Sequence, residues 1–292
     1  MTDSKKTKRR WGDRRDGRLV RTLPAMHKIE PFIMVTRNDA CNQFTDRFEV
    51  TKAEEYIRAK RAAGMKDFTM LHLLVAAYVR TCSQKPGINR FVAGQRVYTR
   101  DQVEVNLCIK KEMRADSPDS VLSILIDPAA TADEIYRILT DEIEKTRNAD
   151  TSFDDTAALF NRLPRLVKKF VFWLLRTLDY FGLLPYALTR LSPFHGSLFI
   201  TSMASIGLPP IYHHIYNFGN VPVFIAFGIT EKGYVLQKDG TTQERRYMHY
   251  SVVMDERVCD GYYFASAFRY LSGLMRNPAK LDEPIEPLRD VD

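Results

Sequence analysis

A nearly uninterrupted apolar run, VPVFIAFGIT at 221–230, limits the folds open to this chain of 292 residues. A strand that is apolar along its whole length is typically buried on both faces, so the run predicts a central strand of a sheet. The turn sequence KDG at 238–240 follows and predicts a hairpin into a strand that ends near Asp255. A helix is predicted directly after it, over 261–278.

The rest of the chain alternates irregularly between helix and strand patterns. Helix patterns occupy 52–64, 69–84 and 131–147. Strand patterns occupy 26–50, where Pro31 suits a strand start, and 90–111, 121–127 and 197–203. Long helices combined with hairpins predict an α+β, two-layer fold, in which a mixed β-sheet is flanked by helices on one side.

Positive charge is concentrated at the start of the chain. The net charge is +7, and residues 1–21 hold nine lysines and arginines against three aspartates. We therefore expect 1–22 to be a basic, solvated arm, 23–278 a single domain and 279–292 a loose, polar tail. No nucleic-acid-binding motif accompanies the arm, so nucleic acid is not an expected partner.

Cysteine usage and the first residues of the chain indicate a cytoplasmic protein. The four cysteines are scattered without a C-x-x-C pair, which argues against a disulfide framework and against a zinc site. The start lacks the apolar run of a signal peptide. The phosphate-loop, dinucleotide, zinc-protease and nucleophile-elbow motifs are also missing, so the enzyme classes that use them are disfavoured and no metal is expected.

A segment at 151–195 is predicted to be a helical insertion of two amphipathic helices. Charged residues and helix breakers interrupt its apolar residues. The segment therefore lacks the continuous run of roughly 20 apolar residues that a membrane span needs. These interruptions are Lys168, Lys169, Arg176, Asp179, Gly182 and Pro185. Core or subunit packing is the first interpretation, and peripheral membrane contact through 166–191 is the second, because aromatic and basic residues share the segment.

The motif DERVCDG at 255–261 lies where a strand ends and a helix begins. It resembles the D-H-R-V-x-D-G motif of 2-oxoacid dehydrogenase acyltransferase (dihydrolipoyl acyltransferase) catalytic domains and of the related chloramphenicol acetyltransferases. Glu256 stands where that family has its catalytic histidine. About fifty residues upstream, FITSMA at 199–204 matches the family's F-T-I-S-N-L-G strand. The family's hydroxyl falls on Thr201, or on Ser202 if the alignment shifts by one residue.

This resemblance implies a chloramphenicol acetyltransferase-like fold, a homotrimer with its active sites between subunits, and acyl transfer between coenzyme A and a small-molecule acceptor. Coenzyme A or acyl-coenzyme A would then be a substrate. Because no lipoyl domain or Ala/Pro-rich linker is recognisable, we expect a stand-alone protein. The alternative hypothesis is a non-catalytic trimeric scaffold or binding protein derived from the family.

The resemblance also assigns a role to each residue of the motifs. Glu256 would be the general base, and a hydroxyl of Thr201 or Ser202 would stabilise the oxyanion. Asp260 would hold the turn through an ion pair with Arg21, and Gly261 would complete the turn.

Glutamate is an unexpected general base for a thiol. A carboxylate with an ordinary pKa near roughly 4.3 lies about four units below a thiol near roughly 8.5, which costs about 5–6 kcal/mol of proton transfer. His213 and His214, in a loop after the oxyanion strand, are therefore second candidates for the base. His249 would lie roughly 23 Å from Glu256 along an extended strand, so we expect a surface or interface histidine there.

Overall fold

Apart from the N-terminal part of 26–50, the strands and helices follow the order that the sequence patterns indicate. The computed structural model describes residues 9–110, 119–148 and 160–290. The strands are β1 Arg18–Leu19, β2 Cys41–Glu49, β3 Arg90–Ala93, β4 Arg96–Thr99, β5 Val103–Lys110, β6 Asp119–Ile126, β7 Leu198–Ser202, β8 Val223–Leu236 and β9 Thr242–Asp255. The α-helices are α1 Ala25–Ile33, α2 Thr51–Ala62, α3 Met70–Gln84, α4 Ala132–Asn148, α5 Arg165–Tyr180, α6 Tyr186–Leu191 and α7 Gly261–Arg276. Short 3₁₀-helices lie at Asn38–Ala40, Pro86–Asn89, Ala204–Ile206 and Pro278–Leu281.

The strands form two sheets. The main sheet has the order β2-β9-β8-β7-β5-β6, with β7 parallel to both β5 and β8 and every other pair antiparallel. The apolar run lies on β8, which has a neighbour on each side, so the predicted central strand is confirmed. Gly240 adopts a φ of 83° in the turn that joins β8 to β9, which confirms the predicted hairpin. A small sheet pairs β1, β4 and β3.

Helices cover one face of the main sheet, which confirms the predicted α+β arrangement. The largest apolar cluster lies between this face and α2, α3, α4 and α7. Helix α3 is buried along nearly its whole length, as its apolar sequence predicts. Burial on this scale supplies the main free energy of folding, at roughly 25 cal/mol for each Å² of apolar surface removed from water.

The start of α3 depends on a buried histidine. The Thr69 N–H donates to Nδ1 of His72 across 3.1 Å, so the ring caps the first turn of the helix. The ring of His72 also packs between Phe68 and Tyr136, with centroid distances of 5.6 and 5.2 Å. Burial lowers the pKa of His72 to about 4, because the cation would lose its hydration.

The opposite face of the main sheet is covered by a loop. Residues 209–222 run across it, and Ile215 packs on Phe224 and Val253. The hydroxyl of Ser251 donates to the carbonyl oxygen of Ile211. This second cluster is much smaller than the helical one, so the two faces of the sheet differ in how deeply they are covered.

One predicted strand is wrong. The N-terminal part of 26–50 forms α1, and Pro31 lies inside that helix rather than at a strand start. The β-forming residues of this stretch favoured a strand, but Met26, Ile29 and Ile33 recur at helical spacing. The helix continues two residues past Pro31, although the proline nitrogen cannot donate to the carbonyl oxygen of His27 in the preceding turn.

Both termini pack on the domain where the structure describes them. Val20 belongs to the main core, and β1 pairs with β4, so residues 9–22 are not a solvated arm. At the other end, Leu281 is buried, and Asp290 forms an ion pair of 2.6 Å with Arg90. The tail is therefore held against the domain, because Arg90 needs a partner for its partly buried charge. Residues 1–8 lie outside the described part.

The predicted insertion contains two helices, α5 and α6, in its described part. No residue of α5 is buried in this chain, so the interpretation of core packing is wrong. Within residues 9–110, 119–148 and 160–290, no helix has the length and apolar content to cross a membrane.

We predict that His72 makes stability depend on pH. Its folded-state pKa of about 4 lies below the ordinary value of 6.5, so the neutral ring favours the folded state above pH 6.5. As the pH falls from 6.5 to 4, the free energy of unfolding should decrease by up to about 3 kcal/mol. A His72→Gln variant keeps an acceptor for the Thr69 N–H but has no titrating ring. Urea unfolding at a series of pH values should show this decrease removed, and parallel profiles for the two proteins would contradict the assignment.

Candidate functional site

The strand-to-helix turn around Glu256 is positioned by backbone hydrogen bonds. Strand β9 ends at Asp255, and α7 begins at Gly261. The Glu256 N–H donates to the carbonyl oxygen of Ala40 across 2.9 Å, and the Asp255 N–H donates to that of Pro222 across 2.8 Å. The side chain of Glu256 is half-buried, so it remains accessible to a second molecule.

A buried ion pair fixes the shape of this turn. The carboxylate of Asp255 accepts from Nε and Nη2 of Arg257 at 2.8 and 2.7 Å, and both residues are buried. The remaining guanidinium nitrogen, Nη1, donates to the carbonyl oxygens of Met34 and Val35. Paired donors and acceptors of this kind compensate for the lost hydration of both charges. Glu256, which lies between the two partners in sequence, is thereby held in place.

A second buried arginine connects the turn to the loop on the open face of the sheet. Arg37 Nε lies 4.0 Å from the Asp255 carboxylate. Its other nitrogens donate to the carbonyl oxygens of Val221 and Gly219 at 3.0 and 2.6 Å. Burial lowers the pKa of Arg37 to about 10, although the negative charge of Asp255 acts to raise it. The guanidinium therefore remains protonated at neutral pH.

The predicted ion pair between Asp260 and Arg21 is not formed. Asp260 is exposed, and its carboxylate accepts from the Tyr263 N–H across 2.7 Å, which makes it the N-cap of α7. Arg21 instead donates to Asp13 at 3.0 Å, inside the packed N-terminal segment. Gly261 opens the helix, and a side chain there would meet no atom within 4 Å. The turn is held by Arg257, a motif residue to which the sequence assigned no role.

Thr201 and Ser202 lie on β7, two strands away from β9. Thr201 shares the open face of the sheet with Phe199, whereas Ser202 shares the helical face with Ile200. Thr201 is the register partner of Ala226, which pairs with Ser251. Strand spacing and rise then place Thr201 about 19 Å from Glu256. One chain therefore does not bring the two predicted residues together.

The two adjacent histidines lie in the loop on the open face. The ring of His213 stacks on Phe224, with centroids 3.9 Å apart, and on His214, 4.5 Å apart. Its Nδ1–H donates to the carbonyl oxygen of His214 across 2.7 Å. Burial lowers the pKa of His213. Phe224 is the register partner of Phe199, so the ring lies on the same face of the sheet as the hydroxyl of Thr201.

His249 is a surface histidine, as predicted. Its Nε2 lies 2.6 Å from the carboxylate of Glu231 on the exposed part of the β8–β9 hairpin. No group of three or more metal-ligating side chains is found in the described ranges.

We predict that Asp255 contributes far more to stability than Asp260. Replacing Asp255 by alanine leaves two buried guanidinium groups without their carboxylate, and should lower the free energy of unfolding by about 3–5 kcal/mol. Asp260→Ala removes an exposed helix cap and should cost about 1 kcal/mol. Chemical denaturation measures both values.

A double-mutant cycle tests directly whether Arg21 and Asp260 interact. Arg21 and Asp260 should show no coupling energy, because each has a different partner. A coupling of about 1 kcal/mol or more between these two residues would restore the predicted pair.

Comparisons of the sequence and of the structure with known proteins give different results. No protein-family model and no curated protein matches the sequence. The structure resembles a probable dihydrolipoamide acetyltransferase from Listeria monocytogenes, with a TM-score of 0.57, 14% identity, and coverage of 87% of this chain and 92% of the other. It also resembles the cubic core of a pyruvate dehydrogenase multienzyme complex, with a TM-score of 0.55, 16% identity and 88% of each chain covered.

A chloramphenicol acetyltransferase is a third similar structure. The TM-score is 0.52 at 12% identity, over 85% of this chain and 94% of the enzyme. Identities of this size establish the fold and leave the activity to be tested. The mixed sheet with helices on one face is therefore the chloramphenicol acetyltransferase-like fold, which acyltransferase catalytic cores share.

Proposed function

We propose that this chain is an acyltransferase of the 2-oxoacid dehydrogenase acyltransferase type. It transfers an acyl group between coenzyme A and an acceptor, and it works as a homotrimer with active sites between copies. The observation that carries this proposal is the placement of Glu256. It lies on the strand-to-helix turn of an acyltransferase fold, in a turn fixed by the buried Asp255–Arg257 ion pair.

The separation of the two chemical groups supports an active site between copies. A general base must lie about 2.6–3.2 Å from the proton that it removes. An oxyanion donor must lie about 2.7–3.1 Å from the developing charge on the same reacting carbonyl. Glu256 and Thr201 of one chain are about 19 Å apart, so they cannot serve the same carbonyl. A neighbouring copy that covers the open face would supply the missing partner.

In this proposal the carboxylate of Glu256 accepts the proton of the attacking thiol or hydroxyl. The freed sulfur or oxygen bonds to the thioester carbonyl carbon, and the hydroxyl of Thr201 donates to the oxyanion that forms. When the carbon–sulfur bond to coenzyme A breaks, the carboxylic acid of Glu256 returns the proton to the leaving thiolate. Glu256 thus acts first as a base and then as an acid, as a reversible transfer requires.

His213 is the alternative base for the same reaction. Its pKa is lowered by burial, so the ring is neutral at neutral pH and can accept a proton. It lies on the same face of the sheet as Thr201. Stacking on Phe224 and His214 restricts the ring, which is typical of a packed side chain as well as of a positioned base.

The first measurement is calorimetric binding of coenzyme A and acetyl-coenzyme A, which requires no knowledge of the acceptor. Acyl transfer is then followed as release of free coenzyme A thiol in the presence of thiol, hydroxyl and amine acceptors. Absence of binding up to millimolar concentration would overturn the enzymatic proposal and favour the non-catalytic trimeric scaffold.

We predict that Glu256→Gln lowers kcat by at least about 100-fold, because general base catalysis contributes roughly 10²–10⁴-fold. Light scattering should show the oligomeric state unchanged, since the ion pair beneath the turn is intact. His213→Gln is the matched variant and should retain most of the activity. Unchanged turnover in the first variant with lost turnover in the second would transfer the role of base to His213.

A further inference from the structure

Helix α5 presents an apolar face to solvent. Its inner stripe, Val171, Leu175 and Leu178, is only half-buried against the domain. A second stripe of the helix points away from the domain, and the exposed fraction of its residues is 38–78%. These residues are Leu166, Val167, Phe170, Trp173 and Leu174. These positions recur at intervals of three, four and seven residues, so they form one continuous face. A contiguous apolar face of this kind marks a contact with a partner or with a membrane.

The helix is attached to the domain in a fixed orientation. Asp179, near its C-terminal end, forms an ion pair of 2.5 Å with the buried Arg14. Burial alone would raise the pKa of Asp179, but interactions with His195 and Arg14 outweigh it and hold the pKa at about 2. Tyr180 donates from its hydroxyl to the side chain of Gln95 across 2.6 Å. The apolar face is therefore presented outward by a rigid support.

Close backbone packing adds to this attachment. Gly94, in the turn between β3 and β4, has a φ of 55°, and a side chain there would collide with the carbonyl oxygen of Tyr180. At the far end of the insertion, Arg190 is hydrogen-bonded to the carboxylate of Glu104 at 2.5 Å. The segment that includes α5 and α6 is thus attached to the domain at the C-terminal end of α5 and again at Arg190 in α6.

The charge of the segment indicates what the face contacts. Residues 160–191 contain six basic side chains and a single acidic one, Asp179, which Arg14 neutralises. On the helix surface, Lys169 lies three residues after Leu166 and four before Trp173, and Arg176 lies three after Trp173. Exposed cations therefore border the apolar face along its length.

We propose that this face of α5, with the exposed apolar residues that follow it, binds the surface of an anionic lipid bilayer. A helix that joins tryptophan, phenylalanine and leucine on one face to basic residues at its border lies in the plane of the membrane interface. The apolar face enters the boundary between headgroups and acyl chains, and the border cations contact the anionic headgroups. Phe181, Leu183, Leu188 and Leu191 extend the apolar surface beyond the helix. This inference does not rest on the proposed acyl transfer.

Flotation of the full chain with lipid vesicles tests the proposal. The protein should float with phosphatidylcholine vesicles that contain phosphatidylglycerol, and much less with phosphatidylcholine alone. The double variant Phe170→Ser/Trp173→Ser should lower the partition coefficient at least about tenfold, because it removes two aromatic side chains that the bilayer would bury. The matched control is Tyr234→Ser/Leu236→Ser on the β8–β9 hairpin, where both side chains are similarly exposed, and it should float like the unmodified protein.

Tryptophan fluorescence locates the contact. The chain has two tryptophans, so Trp11→Phe leaves Trp173 as the reporter. Its emission should shift to the blue on addition of anionic vesicles, and brominated acyl chains should quench it. Replacing Lys169 or Arg176 by glutamine should lower the partition coefficient about fivefold for each residue, with the effect suppressed by salt.

Three results would overturn the proposal. One is failure of the chain to float with anionic vesicles. The second is equal flotation of the Phe170→Ser/Trp173→Ser variant and the unmodified protein. The third is that this variant changes the oligomeric state, measured by sedimentation without lipid, while flotation is unaffected. In that case the face would be a contact between copies of this chain.

Discussion

The buried ion pair between Asp255 and Arg257 connects the parts of the molecule on which the candidate site depends. Taking two charges out of water costs several kcal/mol for each ion, so such a pair persists only when its remaining hydrogen bonds are satisfied. Here the backbone at the end of α1 accepts from Arg257, and Arg37 approaches from the other side and binds the loop carbonyls near Val221. Three segments distant in sequence therefore meet at the turn that carries Glu256.

The two faces of the main sheet have different roles. The helical face buries the large core and contributes most of the stability, and it contains Ser202. The open face is covered only by the loop 209–222, and it presents Thr201 and the stacked ring of His213. In one chain Thr201 and Glu256 lie about 19 Å apart, so the proposed acyl transfer calls for a second copy of the chain.

The segment at 160–191 leaves apolar side chains exposed, while two of its charged groups pair with the domain. Asp179 and Arg190 form ion pairs with the domain, whereas Phe170 and Trp173 are exposed between the exposed cations Lys169 and Arg176. The ion pairs at the C-terminal end of α5 and in α6 attach the segment, although the apolar face of α5 contributes little to the core. The stability of the domain therefore does not depend on covering that face, and the face is available for an interaction with a membrane.

Local patterns in the sequence were sufficient for most of the fold. The apolar run on β8, the turn at 238–240 and the all-round apolar α3 predicted a mixed sheet with a buried helix, because hydrophobic periodicity and turn chemistry act over a few residues. The motif at 255–261 located the strand-to-helix turn in the same way. Only the tertiary structure decided which charges meet: Asp255 with Arg257 and Arg37, and Arg21 with Asp13. It also decided that α1 is a helix despite Pro31 and that α5 is exposed, since long-range pairing and burial depend on the whole chain.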